Sequence, residues 1–254
     1  MNAAPAPPLP AVLLPGDDAT RLLSGAAPPL RLGAGLALES ASPPCVSATR
    51  AGVLSSRAPS RFWLASGMRR YTAAVGDSVV GVVVDRGPEA YRVSLRGAAA
   101  AALPRLAFDG ASKRNKPSLA AGALVFARVA AAPLHGDVEL TCQAASGAVR
   151  KDWTTGQTVY GELKEGTLVT VGLAHARRLL HPQCALLATF GESIPFEVAI
   201  GMNGLIWLRA ATPRQMTVIA NALERSESLS EEECATFARR LIAAANAVAA
   251  EGDG

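Results

Sequence analysis

The stretch that most limits what this chain can fold into lies between residues 71 and 145. Four runs rich in Val and Leu occur there: "SVVGVVVD" (78–85), "AYRVSL" (90–95), "ALVFARVAA" (123–131) and "DVELTC" (137–142). The turn-forming segments "DRGPEA" and "PLHGD" separate them. Runs of this length bounded by Gly, Pro and Asp predict strands, and short strands at this spacing predict a small antiparallel barrel. The Ala-rich "RGAAAAALPRL" (96–106) is either a third barrel strand or a segment pressed against a neighbour. "FDGASKRNKPSLAAG" (108–122) interrupts the series as a loop that carries Lys113, Arg114 and Lys116.

The regions on either side differ in texture. Residues 1–68 are rich in Pro, Ala, Ser and Gly, and the short apolar pieces "AVLLPGD", "LGAGLAL" and "RFWLAS" predict several short strands. The Ala/Pro run at 1–10 reads as a disordered lead-in, and "SSRAPSR" (55–61) as an exposed basic loop. Beyond residue 147, "GTLVTVG" reads as a strand, "LAHARRLL" as a short helix stopped by Pro182, and "IPFEVAI" and "LIWLRA" as two more strands. Two helices follow. Thr212 caps the first, with Pro213 at its first position and Met216, Ile219, Ala220 and Leu223 on one face. Ser230 and Glu233 form a capping box for the second, whose apolar stripe is Cys234, Phe237, Leu241 and Ala245. The expected organisation is therefore multidomain, β plus α+β. A small N-terminal β domain (11–69) precedes an OB-fold β-barrel (70–147), a KH-type α+β domain (148–248) and a tail (249–254).

Gly201-Met202-Asn203-Gly204 fits the G-x-x-G loop with which KH domains clamp a nucleic-acid backbone. A clamp of that kind joins two helices, whereas the flanks here are strand-like. Asn-Gly is also a strong hairpin signal, because both residue types tolerate positive φ. A tight structural turn and an RNA clamp are the two readings. Trp207, alternating with Leu205 on the following strand, reads as a core or domain-interface anchor rather than a base-stacking platform. Trp63 and Trp153 are the other large anchors.

Several function classes are disfavoured. The acidic residues are scattered, so no carboxylate cluster is placed to hold the two metals of a hydrolytic nuclease. No P-loop, nucleophile elbow or helix-opening G-x-G-x-x-G occurs, and no catalytic residue, cofactor or small-molecule substrate is expected. Cys45, Cys142, Cys184 and Cys234 lack C-x-x-C spacing and read as reduced thiols. His135, His175 and His181 lack metal-ligand spacing, so no metal is expected. "MNAAPAPPLPAVLLPGDDATR" lacks the basic and long apolar parts of a secretory leader, and no window approaches ~20 unbroken apolar residues, so no membrane span is expected. A net charge of +4 permits an acidic partner such as RNA without demanding one.

One ordered set of motifs is more specific than any of these features alone. "LLPGD" (13–17), "LGAGL" (32–36), "GDSVVGVV" (76–83), "FDGASKRNKP" (108–117), "LVTVGLAHARRLL" (168–180) and "IGMNGLIWLRA" (200–210) follow one another across nearly the whole chain. The set resembles the S1/KH-type cap subunits of the eukaryotic RNA exosome. The resemblance implies a non-catalytic protein seated on a ring of RNase PH-like subunits beside other cap subunits. It would help to form the pore through which single-stranded RNA is threaded for 3′ to 5′ processing and degradation, rRNA maturation included, in nucleus, nucleolus and cytoplasm. A stand-alone S1/KH RNA-binding protein and a purely structural scaffold are the alternatives. In the family the G-x-N-G form is associated with packing between barrel and KH unit, which marks Gly201, Asn203, Gly204 and Trp207 as structural.

The residues expected to meet RNA are Lys113, Arg114 and Lys116, whose cations can track phosphates without reading sequence. A solvated loop, or one docked on an acidic neighbour, is the competing reading. S1 domains often carry a stacking aromatic near the position of Tyr91, although a partly buried barrel residue is an equal reading. "AALPRL" (101–106) replaces the segment that usually supplies a second contact, so RNA contact is expected to be mainly electrostatic. Arg92, Arg96 and Arg105 are expected to add positive potential.

Overall fold

The computed structural model describes residues 11–23, 29–57, 60–67, 70–97, 99–133, 135–144, 159–182 and 184–252. The expected lead-in at 1–10, Trp153 and the last two residues of the expected tail lie outside them. The chain divides into two compact units, Met1–Met68 and Arg69–Gly254.

In the first unit, β1 (Val12–Leu13) leads to a one-turn helix α1 (Thr20–Leu23), then β2 (Arg31–Leu32), β3 (Leu36–Ala41), β4 (Pro44–Ala48), β5 (Gly52–Arg57) and β6 (Arg61–Ala65). The strands form a sheet in the order β1-β5-β6-β2 and a β3-β4 hairpin. Leu13, Leu23, Leu36, Val46, Leu54 and Leu64 close a small core between them. This is the β domain that the broken apolar pieces predict. Polar side chains complete its loops: the Thr20 hydroxyl accepts from the Val46 amide at 2.9 Å and an Asp17 carboxylate oxygen from the Leu14 amide at 2.7 Å.

The second unit opens with the barrel: β7 (Ser78–Arg86), β8 (Ala90–Ser94), β9 (Ala101–Pro104), β10 (Leu124–Ala131) and β11 (Glu139–Thr141). Its order is β11-β9-β8-β7-β10, and a further β10–β11 pairing closes the ring. The β9–β11 contact is parallel and the others antiparallel. This is the five-stranded Greek-key closure of an OB fold. The Ala-rich segment thus supplies the third barrel strand. Alternate residues fill the interior, including Val79, Val83, Val93, Leu103, Val125, Val129 and Leu140. Gly81 is needed at this diameter, because a Cβ there would collide with Val93 and Leu95. A sixth strand, β12 (Gly161–Leu163), pairs with β10. The barrel sheet therefore extends past the boundary drawn at 147, a three-residue addition too short to register as a strand in the sequence.

The α+β part consists of β13 (Thr167–Thr170), α2 (Leu173–Leu179), α3 (Ala185–Ser193), β14 (Phe196–Ile200), β15 (Leu205–Ala210), α4 (Pro213–Arg225) and α5 (Glu231–Gly252). Its sheet runs β13-β15-β14, antiparallel throughout. The helices bury Leu179, Leu186, Phe190, Ile219, Leu223, Cys234 and Ile242 against Ile206 and Leu208. The Thr212 hydroxyl accepts from the Gln215 amide with Pro213 at the first position, and Ser230 and Glu233 cap α5 reciprocally. Phe237 and Leu241 pack at the edge of the same core. α5 continues to residue 252, through most of the expected tail.

His175 pins α2 to the turn after α4. Its Nε2–H donates to the Leu223 carbonyl at 2.9 Å, and its Nδ1 accepts from Arg178 Nη2 at 3.0 Å. A carbonyl on one side and a guanidinium on the other require the neutral Nε2–H tautomer. Burial, with the Arg178 charge, holds its pKa below the ordinary value, against the smaller opposing influences of the Leu223 carbonyl and Glu227. The unfolded chain therefore takes up this proton first. Stability is complete above about pH 6.5 and declines as pH falls from there through the folded value. Thermal denaturation at stepped pH should show the midpoint of the second unit dropping between pH 7 and 5. His175→Gln should flatten that dependence, and an unchanged profile would refute the assignment.

Candidate nucleic-acid interface

The cation-bearing loop between β9 and β10 is built on a fixed base. At its start, Phe108 bridges to Cys142 and an Asp109 carboxylate oxygen accepts from the Ala144 amide at 2.7 Å. The tip closes on itself: the Ser112 amide donates to the Asn115 carbonyl at 2.8 Å, and the Asn115 amide to the Ser112 hydroxyl at 3.1 Å. Lys113 and Arg114 are carried outward between them, and both are exposed, as is Lys116. At the exit, Pro117 and Leu119 are buried. Arg86, at the end of β7, donates to the Ser118 hydroxyl at 3.0 Å.

Tyr91 is fully buried, so its ring is not open to a base, in contrast to the stacking role weighed from sequence. The cause is strand alternation: Tyr91 and Val93 face the barrel interior while Arg92 between them faces out. The Tyr91 hydroxyl donates to the Pro117 carbonyl at 2.6 Å and accepts from the Leu119 amide at 3.2 Å. The Arg105 guanidinium lies over the ring, 5.1 Å from its centroid, a cation–π contact. Arg105 Nε is buried without a hydrogen-bond partner among the described residues.

Arg105, Lys113 and Lys116 line one groove of about 460 Å³, together with Pro88, Glu89 and Leu106. Three of the seven residues considered for RNA thus converge. Arg114 lies on the same loop without lining the groove, and Arg92, opposite Asp85 across the β7–β8 pair, does not line it either. Arg96 is exposed in the β8–β9 connection with a positive φ of 59°. Sequence reasoning missed Arg86 and the supporting role of Tyr91, because neither a helix face nor a motif marks a strand residue that bonds a distant loop.

The Gly201–Gly204 segment has a different task. It connects β14 to β15 as a four-residue loop: the Gly204 amide donates to the Gly201 carbonyl at 3.0 Å and the Gly201 amide to the Leu205 carbonyl at 2.8 Å. Gly204 has a φ of 77°. Among the described non-glycine residues only Arg96 and Glu165 have positive φ, so of the Asn-Gly pair Gly204 alone uses the positive φ that both residue types tolerate. This is a turn closed by a left-handed Gly, and it leaves the Asn203 side chain free to reach the barrel. Asn203 Oδ1 accepts from the Val80 amide at 3.3 Å, and Nδ2 donates to the carbonyls of Val80 at 2.7 Å and Leu95 at 3.1 Å. The Met202 amide donates to the Ser78 carbonyl at 2.8 Å. A Cβ on Gly201 would collide with Asn203 and the Val80 amide. Beneath the loop, Val80, Ala199, Leu205 and Trp207 form a shared cluster with Phe126 and Leu163 packed on it. Trp207 Nε1 donates to the Glu165 carbonyl at 3.1 Å.

Residues 180–184, which join helices α2 and α3, read "LHPQC" and contain no glycine. The place where a KH domain carries its backbone clamp therefore lacks the close-approach residues. The G-x-x-G of this chain sits on the strand hairpin instead, buried against the barrel.

Comparison with known families agrees with this architecture. Residues 71–153 match the model described as "Exosome complex component RRP40, S1 domain", and residues 166–214 match a KH domain model. The exosome complex component rrp40 of Schizosaccharomyces pombe is 36% identical over 76% of this chain and 78% of that protein. Exosome complex component RRP40 of Mus musculus is 33% identical over 86% of this chain and 78% of its own length. A crystal structure described, provisionally, as that of an exosome complex RNA-binding protein superimposes with a TM-score of 0.53 at 19% identity, covering 68% of this chain and 97% of that one.

Replacing Asn203 with Ala strands the Val80 amide and two carbonyls at the barrel–KH junction, at a cost of about 2–4 kcal/mol. Urea denaturation should show that loss, and RNA affinity per folded molecule should stay at the parent value. A stable variant that has lost RNA would instead identify the hairpin as a clamp.

Proposed function

The chain belongs to the RRP40 family of exosome complex components, and on that basis we propose that it is a non-catalytic, RNA-binding cap subunit of an RNA exosome. In this reading it sits on a ring of RNase PH-like subunits beside the other cap subunits. It lines part of the path by which single-stranded RNA reaches the complex for 3′ to 5′ processing and turnover, in nucleus, nucleolus and cytoplasm. The observation that carries the RNA assignment is the convergence of Arg105, Lys113 and Lys116 on one groove of the barrel.

The chemistry of that groove suits a backbone rather than a sequence. Cations there neutralise phosphates whichever base follows, and affinity falls with salt as counterions are released. Among the described residues no aromatic side chain lines the groove, which favours charge over base stacking. The junction supports the same reading: with the hairpin committed to the barrel and no glycine between α2 and α3, the KH-type part acts as a support for the S1 barrel.

A tagged chain purified from its own cells should bring down RNase PH-like ring subunits; recovery alone or with ribosomes would overturn the assembly reading. For RNA, the salt dependence of binding is the sharper measure. Lys113→Gln with Lys116→Gln should reduce the slope of log K against log salt by about 1.4, the share of two single-strand phosphate contacts. An unchanged slope would refute the assignment of these lysines.

A further inference from the structure

Resting on the RNA reading of the groove, we propose that Tyr91 is its positioning residue, setting both walls from inside the barrel without touching the RNA. One wall is Arg105, whose guanidinium lies on the Tyr91 ring at 5.1 Å. The other is the Lys113–Lys116 loop, whose exit the Tyr91 hydroxyl clasps through the Pro117 carbonyl at 2.6 Å and the Leu119 amide at 3.2 Å. A single buried side chain therefore fixes the spacing between the three cations of the groove.

Lys and Arg side chains lose rotamer freedom when they settle on phosphates, and loop backbone loses more if it must first be ordered. The Ser112–Asn115 bonds hold the shape of the loop tip but do not tie it to the barrel. Pro117 and Leu119 make that tie: on the loop's exit side the Tyr91 bonds and the Arg86–Ser118 contact hold it to the barrel ahead of the Gly122–Val83 backbone bond, just before β10 begins. The Tyr91 hydroxyl works in both directions, donating to one backbone group and accepting from another, and no other side-chain type of this shape can do so. On the opposite wall, Arg105 holds a buried Nε with no hydrogen-bond partner among the described residues. Such a donor is costly to leave unmet, and the ring contact holds the guanidinium beside the groove that Arg105 lines. Glu89 lines the same groove and opposes anions there, which makes the fixed spacing of the three cations matter more.

The test uses the full chain with a fluorescein-labelled 20-nucleotide oligouridylate over a salt series, and amide hydrogen exchange of the free protein. Tyr91→Phe keeps the ring and removes only the hydroxyl. It should speed exchange across residues 112–119 and weaken binding about fivefold through loop ordering, with the salt slope unchanged because no cation is lost. Arg105→Lys keeps the charge and removes the planar contact; it should weaken binding about threefold, again at unchanged slope. A merely structural Tyr91 would lower the melting temperature and leave affinity per folded molecule intact, and that result overturns the proposal. If Tyr91→Phe fails to fold, Arg105→Lys decides: parent affinity overturns, loss at constant slope supports. If Lys113→Gln with Lys116→Gln leaves the slope unchanged, the RNA reading falls and this proposal with it. If those lysines matter while Tyr91→Phe and Arg105→Lys bind like the parent, the positioning role alone is refuted.

Discussion

The geometry of the second unit depends on one buried amide. Asn203 meets the amide and carbonyl of Val80 and the carbonyl of Leu95, so a single side chain completes hydrogen bonds for two barrel strands, or their immediate continuation. Carbonyls only accept, so the orientation of the amide group is dictated: Nδ2 must face them and Oδ1 the Val80 amide. Aspartate could supply the acceptor but neither donor. The two flanking glycines serve the same contact. Gly204 turns the chain with a φ that side chains avoid, and Gly201 lets the hairpin approach Val80 more closely than a Cβ permits. Met202 adds a backbone bond to Ser78. The four-residue motif is thus a docking device in which each position except Met202 is chemically constrained.

That device explains why β7 is apolar on both faces near its start. Val79 and Val83 point into the barrel, and Val80 points out into the cluster with Leu205 and Trp207. An OB strand with a solvated outer face would alternate with polar residues. "SVVGVVV" does not, and the covering β14–β15 sheet is the reason. Trp207 is held from its far side as well, by the Glu165 carbonyl, in a turn where Glu165 takes a φ of 54° and also pairs with Arg209 at 2.8 Å.

Much of the architecture was legible because its signals are local. The Val-rich runs of the barrel announce strands by composition and by the turns that bound them, and the Thr212-Pro213 start of α4 and the Ser230–Glu233 box of α5 satisfy backbone groups with neighbours in sequence. Elements without such signals were not legible. α3 has Cys184 before its first residue with no side-chain cap, and only Leu186, Thr189 and Phe190 are buried in it, a pattern too short to announce a helix. β9, two of whose four residues are alanine, is legible only as one of two readings, and it is a strand because β8 and β11 pair with it on either side. In the groove, the lysines of the loop could be found from composition. Their support could not, since Tyr91 to Pro117 and Arg86 to Ser118 are contacts across 26 and 32 residues. Nor could Asn203 be matched to Val80 across 123 residues; the motif marks the position, but not what it touches.

The same hairpin cannot both clamp an RNA backbone and hold the barrel. A clamp needs its glycine amides exposed for close approach by phosphates. Here Gly201 and Gly204 are buried, Asn203 is 2% exposed, and the loop's amides are spent on Leu205, Ser78 and Gly201. With no glycine in the α2–α3 connection to take over, the proposed function leaves the KH-type part as mechanical support and puts the charge that meets RNA on the barrel's own loop. A groove of that kind gains affinity from where its cations are held rather than from how many there are, which is why the buried residues beneath it matter to the proposed function as much as the lysines at its rim.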